Sequence, residues 1–184
     1  GEDYPLDLSP FMERKKVLMT CGTQLAWAKE NLIYQATQLA KAHPDCHFFV
    51  TRGVGGEPFQ CENLMENLSL VSYLPYKEYI PQMDYVIHHG GAGIFYQCII
   101  YGKPALILPH DYDQYDYAVR GVEAGVAFTA KRDNSQEIGQ AFEKLIAKED
   151  WSELEILRQA AQSYHPTEIL ESEIHRLLAD KEKE

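Results

Sequence analysis

The chain has 184 residues, 45% of them hydrophobic, which suffices for one domain with a buried core. Its formal net charge of −11 offers no basic face to meet duplex phosphates, which argues against a nucleic-acid partner. A local pocket for one small anion stays open, because backbone dipoles supply it without net charge.

Residues 1–14 carry Pro5 and Pro10 and no periodicity, and read as a linker; residues 15–184 read as one domain. Short β-rich runs then alternate with longer amphipathic ones. Strand Val17–Thr20 precedes helix Gln24–Lys41, then strand His47–Thr51, a short helix Asn63–Glu66 and strand Leu68–Ser72. Next come helix Lys77–Gln82, strand Tyr85–His88, helix Ile94–Tyr101, strand Ala105–Leu108 and helix Gln114–Ala124. The order closes with strand Val126–Thr129 and helices Ser135–Ala147, Trp151–Ser163 and Thr167–Lys181. Gly102 with Pro104 stops one helix, Gly125 stops another, and Asn134 or Ser135 caps the next. The stripe Trp151, Leu154, Leu157 and Ala161 has helical spacing and reads as a packed face.

Strand–helix alternation at this spacing implies βαβ crossovers. The strands are near-continuous apolar runs, as when both faces of a sheet are covered. The expected fold class is therefore α/β: a Rossmann-like, mainly parallel sheet with helices on both faces. Cys21, Cys46, Cys61 and Cys98 lie far apart without a CxxC pair, and read as reduced thiols in buried packing. No apolar run approaches the ~18–20 residues of a membrane helix, and no signal-peptide pattern is present, so the expectation is a cytoplasmic protein without a transmembrane segment.

In such sheets ligands sit beyond the carboxyl ends of the strands. Three loops at that edge stand out: "TCGTQ" after the first strand, "HHGGAG" after the strand ending at His88, and "PHDYDQ" after the next. Gly90, Gly91 and Gly93 remove side chains where a backbone is approached closely. The helix that follows points free N–H groups and its positive dipole end at the same place, which suits a phosphate or diphosphate. His89 adds a ring donor, and Gln97 falls one turn further on the same side. A plainer reading is that the glycines pack the helix tightly, and His88 reads as a packed strand-end residue. GxGxxG would need glycine at Tyr96, and no Walker A lysine follows, so NAD(P) and ATP fit poorly. Asp111-x-Asp113 resembles the metal-binding DxD of GT-A transferases, but a lone DxD is weak and Asp111 reads as a solvated loop carboxylate. Metal-ligand spacing is absent from the histidines, and no metal is expected. Tyr112, Tyr115 and Tyr117 suit either stacking on a sugar or helix packing.

The stretch "VSYLPYKEYIPQMDYVIHHGGAGIFYQCIIYGKPALILPHDYDQYDYAVRGVEAGVA" resembles the C-terminal, donor-binding domain of GT-B glycosyltransferases, in the macrolide and plant-type UDP-sugar transferase group. It keeps that family's order: aromatic-x-Pro, a strand, HGGxG, G-x-P, a strand ending in Pro, and DQ before a helix. The resemblance implies that His89 and the amides of Gly90, Gly91, Ala92 and Gly93 hold the diphosphate of a UDP- or dTDP-sugar. It places Gln97 at the ribose, where the family has Glu, and Tyr73 and Leu74 beside the base, with Tyr73 for the usual Trp and Tyr76 for the usual Gln. Asp113 and Gln114 match the pair that touches the donor sugar, and Gly22 and Thr23 match a pair near the phosphates or acceptor.

The activity so implied is hexosyl transfer to a small-molecule acceptor, with a nucleoside diphosphate leaving and no cofactor beyond the donor substrate. In the family the base that activates the acceptor comes from an N-terminal domain, so this chain resembles the donor half of an enzyme, inactive alone, needing that domain in cis or from a partner chain. Two alternatives share the fold: a non-catalytic donor-binding subunit of a split, two-chain glycosyltransferase, and a nucleotide-sugar 2-epimerase domain.

Overall fold

A computed structural model of the chain describes residues 6–22, 26–53, 59–163 and 166–181. In order, the elements are β1 (Lys15–Met19), α1 (Ala26–Ala42), β2 (Cys46–Thr51), β3 (Cys61–Met65), β4 (Leu68–Val71), α2 (Tyr76–Tyr79) and β5 (Tyr85–His88). They continue as α3 (Ala92–Ile100), β6 (Ala105–Ile107), α4 (Tyr112–Glu123), β7 (Ala127–Thr129), α5 (Ser135–Ala147), α6 (Ser152–Ser163) and α7 (Pro166–Lys181). A 3-10 turn, Ile80–Gln82, prolongs α2.

The strands form one sheet in the order β3-β4-β2-β1-β5-β6-β7. Every pairing is parallel except β3 with β4. From β1 the chain first builds outward through β2 and β4, then returns to place β5 on the other flank of β1. The winding direction reverses there, and the loops after β1 and β5 diverge from a common point, which is where open α/β sheets form a crevice.

Alternating residues of each strand feed two separate cores, as the two-residue period of a strand requires. Leu18, Phe49, Val71, Val86 and Ile107 join one cluster with Phe95, Ile99, Ala118, Leu154 and Leu157, so α3, α4 and α6 cover that face. Val17, Met19, Phe48, Val50, Ile87 and Leu106 join the other with Leu32, Ala36, Ile138 and Phe142, so α1 and α5 cover the opposite face. Burying each such side chain contributes roughly 1.5–3 kcal/mol, which explains why these strands carry no polar face. The stripe on α6 is packed as expected, with Leu154, Leu157 and Ala161 all buried. Helix ends also follow the sequence: Gly102 and Gly125 adopt positive φ after α3 and α4, and Asn134 Oδ1 accepts from Glu137 N–H at the start of α5.

One expected element is different in kind. Asn63–Glu66, read as a short helix, lies largely within the antiparallel edge strand β3, paired with β4 through Cys61↔Val71 and Asn63↔Ser69. The segment is almost wholly exposed and would bury no apolar face as a helix to offset nucleation, whereas the hairpin gains ladder bonds at once. Its turn is tied down by Asn67, whose Nδ2 donates to the carbonyls of Ala40, His43 and Cys46. Cys61 is consequently exposed and Cys21 only half-buried, so the packing reading holds for Cys46 and Cys98 alone; all four are free thiols.

Residues 6–14, expected as a linker, lie against the domain. Leu8 is buried, Phe11 packs edge-on against Phe49 at 5.2 Å, and the Leu6 N–H donates to the Tyr79 hydroxyl at 2.9 Å. Among the described residues, no helix is long and apolar enough to cross a membrane.

Candidate functional site

A cleft of about 320 Å³ opens where β1 and β5 diverge, lined by Cys21, Gly22, Ala28, Tyr76, His89, Gly91, Gly93, Ile94, His110, Asp111 and Gln114. The three loops singled out in the sequence therefore meet there, although up to 92 positions separate them (Gly22 to Gln114).

The β5–α3 turn begins with two histidines in different surroundings. His88 is 1% exposed and its Nδ1 accepts the N–H of Gly90 at 2.9 Å, so it is a packed strand-end residue. His89 is half-buried and turns toward the cleft, its ring lying between two glycines. A Cβ on Gly22 would come within 3.2 Å of its Cε1 and Nε2, and one on Gly91 within 2.7 Å of its Nε2. Both glycines thus clear room for this ring. Burial pushes the His89 pKa below its ordinary value, which favours a neutral imidazole.

Gly90 holds φ +90°, and a Cβ there would meet the Gln114 backbone oxygen at 2.9 Å. Glycine is required at this point to seat the turn against the first turn of α4. Gly91 then serves as the N-terminal flanking residue of α3, and no side chain among the described residues caps that helix. Phe95 N–H is bonded to the Gly91 carbonyl, while the amides of the preceding turn point outward from the helix end. Ala92 and Gly93 are exposed, and nothing among the described residues lies within 4 Å of where a Gly93 Cβ would be. The helix mouth is thus both unsatisfied and unobstructed, a positive dipole end facing open space.

Around this mouth the other walls are held firmly. Gln114 Oε1 accepts the N–H groups of His110 (2.8 Å) and Asp111 (3.1 Å), fixing the β6–α4 loop. Its carbonyl is thereby committed, and its amide group is what remains for a ligand. The Tyr76 hydroxyl lies 2.9 Å from Thr20 Oγ1, and burial raises its pKa, keeping it a neutral phenol. His110 is pushed down to about 4, chiefly by burial, then by the Arg132 guanidinium and His89, against the pull of Asp111.

Of the residues expected from sequence, the cleft unites Gly22, His89, Gly91, Gly93 and Gln114. Thr23 lies outside the described residues. Gly90, Ala92 and Asp113 line a second hollow of about 420 Å³ on the other side of the turn, with Gln114, Asp116, Tyr117 and Arg120, so Gln114 faces both spaces. Gln97 is half-buried and borders neither; its Oε1 is enclosed without a partner among the described residues. Tyr73 is exposed, whereas Leu74 belongs to the core, leaving only its backbone for recognition. Asp111 and Asp113 are exposed, as are Tyr112 and Tyr115, while Tyr117 packs on Phe95 at 5.1 Å. Among the described residues, no three His, Cys, Asp or Glu side chains converge as a metal site would need. Tyr76 and His110 line the cleft without having been singled out as ligands; His110 belongs to the "PHDYDQ" loop, and that placement was its available signal.

Residues 55–175 match the family described as erythromycin biosynthesis protein CIII-like, C-terminal domain. The 3-alpha-mycarosylerythronolide B desosaminyl transferase of Saccharopolyspora erythraea is 25% identical over 139 residues, 73% of this chain and 32% of that protein. An uncharacterized UDP-glucosyltransferase, YdhE, of Bacillus subtilis is 26% identical over 121 residues, 64% of this chain and 31% of that protein. In fold, the chain superposes on the glycosyltransferase VinC, solved in complex with DTDP, with a TM-score of 0.62 at 21% identity, covering 91% of this chain and 42% of that one. The chain thus spans about a third of the length of these curated relatives.

Proposed function

The chain belongs to the erythromycin biosynthesis protein CIII-like C-terminal domain family, a glycosyltransferase domain of the GT-B fold, and from that premise we propose that it binds a UDP- or dTDP-sugar through its diphosphate at the mouth of α3. The observation that carries this reading is the uncapped, exposed helix start beside the neutral ring of His89. A diphosphate there accepts from the amides of Gly91 to Gly93 and from the His89 ring, at the place where the helix dipole favours negative charge. In transfer, the bond from the anomeric carbon to the diphosphate oxygen breaks and charge grows on that oxygen. Preplaced donors stabilise this charge more than they stabilise the intact donor, which is what lowers a barrier.

The remaining roles are assigned on the family resemblance. The Gln114 amide reaches donor-sugar hydroxyls, and Asp113 contributes from the adjoining hollow. Backbone groups at Tyr73 and Leu74 read the base, and Gln97 meets the ribose by turning its side chain outward. The acceptor and its activating base come from an N-terminal domain, in cis or on another chain.

Titration of this chain with UDP, dTDP, uridine and inorganic pyrophosphate tests the reading. Both diphosphates are expected to bind weakly and more tightly than uridine, with no sugar transfer until an N-terminal half is added. Diphosphates binding no better than uridine would end the reading, and robust turnover by the chain alone would end its half-enzyme part.

A further inference from the structure

Behind the cleft, two buried imidazole nitrogens have no partner among the described residues: Nε2 of His88 and Nδ1 of His89. The Nδ1 of His88 accepts the Gly90 N–H at 2.9 Å, so it carries no proton. A neutral ring then bears its proton on Nε2. Burial keeps the ring neutral, with its pKa pushed down to about 3. His88 therefore presents an enclosed N–H donor, and such a group in a native interior is almost always met.

His88 and His89 both border a small cavity of about 10 Å³, walled also by Thr20, Asn31 and His110. That volume is about the room one water molecule needs, and the two histidines, Thr20, Asn31, His110 and Arg132 put polar groups on its wall beside Ala28, Leu32 and Leu108. On its other side His89 turns Nε2 toward the cleft, into the space that Cβ atoms on Gly22 and Gly91 would crowd. The two nitrogens of this ring thus face different spaces, one internal and one at the ligand cleft.

We propose that one ordered water in this cavity joins the rings, accepting from His88 Nε2–H and donating to His89 Nδ1, so that His88 positions the proton of His89 on the nitrogen that faces the cleft. The chain of donors runs Gly90 N–H to His88, His88 to water, and water to His89. Without that relay, His89 would divide between two tautomers. One of them turns a bare lone pair toward the ligand and repels phosphate oxygens. His88 touches no ligand; it acts through the water and its neighbour. The proton's position rests on the Gly90–His88 hydrogen bond, the shared cavity and the burial that keeps both rings neutral, while its consequence for binding rests on the diphosphate reading above.

Long-range ¹H–¹⁵N correlation spectra of the imidazoles in the whole ¹⁵N-labelled chain test this without ligand. Protonated Nε2 and bare Nδ1 are expected on both His88 and His89 at neutral pH, with a water cross-relaxation signal at His88 Nε2–H. In His88→Leu, the His89 nitrogens are expected to move toward averaged values and UDP affinity to fall about tenfold. A wild-type His89 protonated on Nδ1 would overturn the proposal, as would unchanged His89 nitrogens in a folded His88→Leu. Should that variant not fold, the wild-type spectrum still decides. Correct tautomers in a protein that binds no UDP would refute the diphosphate reading and leave the positioning role standing.

Discussion

Replacing His89 by alanine is expected to weaken UDP and pyrophosphate binding about 10- to 100-fold while changing uridine binding about twofold or less. A hydrogen bond to a charged acceptor contributes roughly 1.5–3 kcal/mol, and each 1.4 kcal/mol is a factor of ten. The ring sits between Gly22 and Gly91 beside the uncapped end of α3, so its loss removes a donor from the anion and not from the base. His89 is only half-buried and outside both apolar clusters, so the variant should keep its melting temperature within a few degrees. Isothermal titration with the three ligands separates the cases. Equal losses for uridine and UDP would take His89 away from the phosphates.

Gly93→Ala should divide fold from function more sharply still. Among the described residues nothing lies within 4 Å of the added Cβ, and alanine is the better helix former by up to about 1 kcal/mol, so thermal stability should hold or rise slightly. The methyl group instead fills space at the cleft wall where phosphate oxygens must approach the α3 amides. Losing one or two such contacts at roughly 1–1.5 kcal/mol each predicts a fall of about tenfold to a hundredfold in diphosphate affinity. A glycine retained only for packing would behave the opposite way, as Gly90 must, with φ +90° and a backbone oxygen 2.9 Å from any Cβ. Unchanged UDP binding by Gly93→Ala would show that the ligand does not come near this turn.

The fold was legible because its signals are local and repeated. Apolar runs such as "ALIL" and "YVI" can bury both faces only inside a parallel sheet, and Gly102, Gly125 and Asn134 act where helix ends need them. What escaped was β3: its residues are almost all exposed, so hydrophobic periodicity says nothing about them, and only pairing with β4 makes them a strand. The packing of residues 6–14 was hidden for a related reason. Leu8 and Phe11 are isolated apolar residues, and the groups this segment meets, Phe49 for Phe11 and Tyr79 for Leu6, lie far along the chain.

At the site, glycine chemistry was readable and side-chain commitment was not. "HHGGAG" announced an open helix mouth, and the structure has one. No spacing rule reveals that Gln114 spends its carbonyl on the amides of His110 and Asp111, nor that Tyr76 of the cleft wall hydrogen-bonds Thr20. The same holds for the asymmetry of the two histidines. Adjacent in sequence, they differ because strand alternation sends one ring inward and leaves the other at the edge.

Backbone amide shifts followed during titration with UDP, and separately with pyrophosphate, test the central claim most directly. The largest changes are expected at Gly91, Ala92, Gly93 and Ile94 with both ligands, together with the His89 side chain. Uridine should leave those amides nearly still. If both diphosphates instead moved amides elsewhere, for instance around β3 and β4, while Gly91 to Ile94 stayed fixed, the helix mouth would not be the anion site and the account would fail.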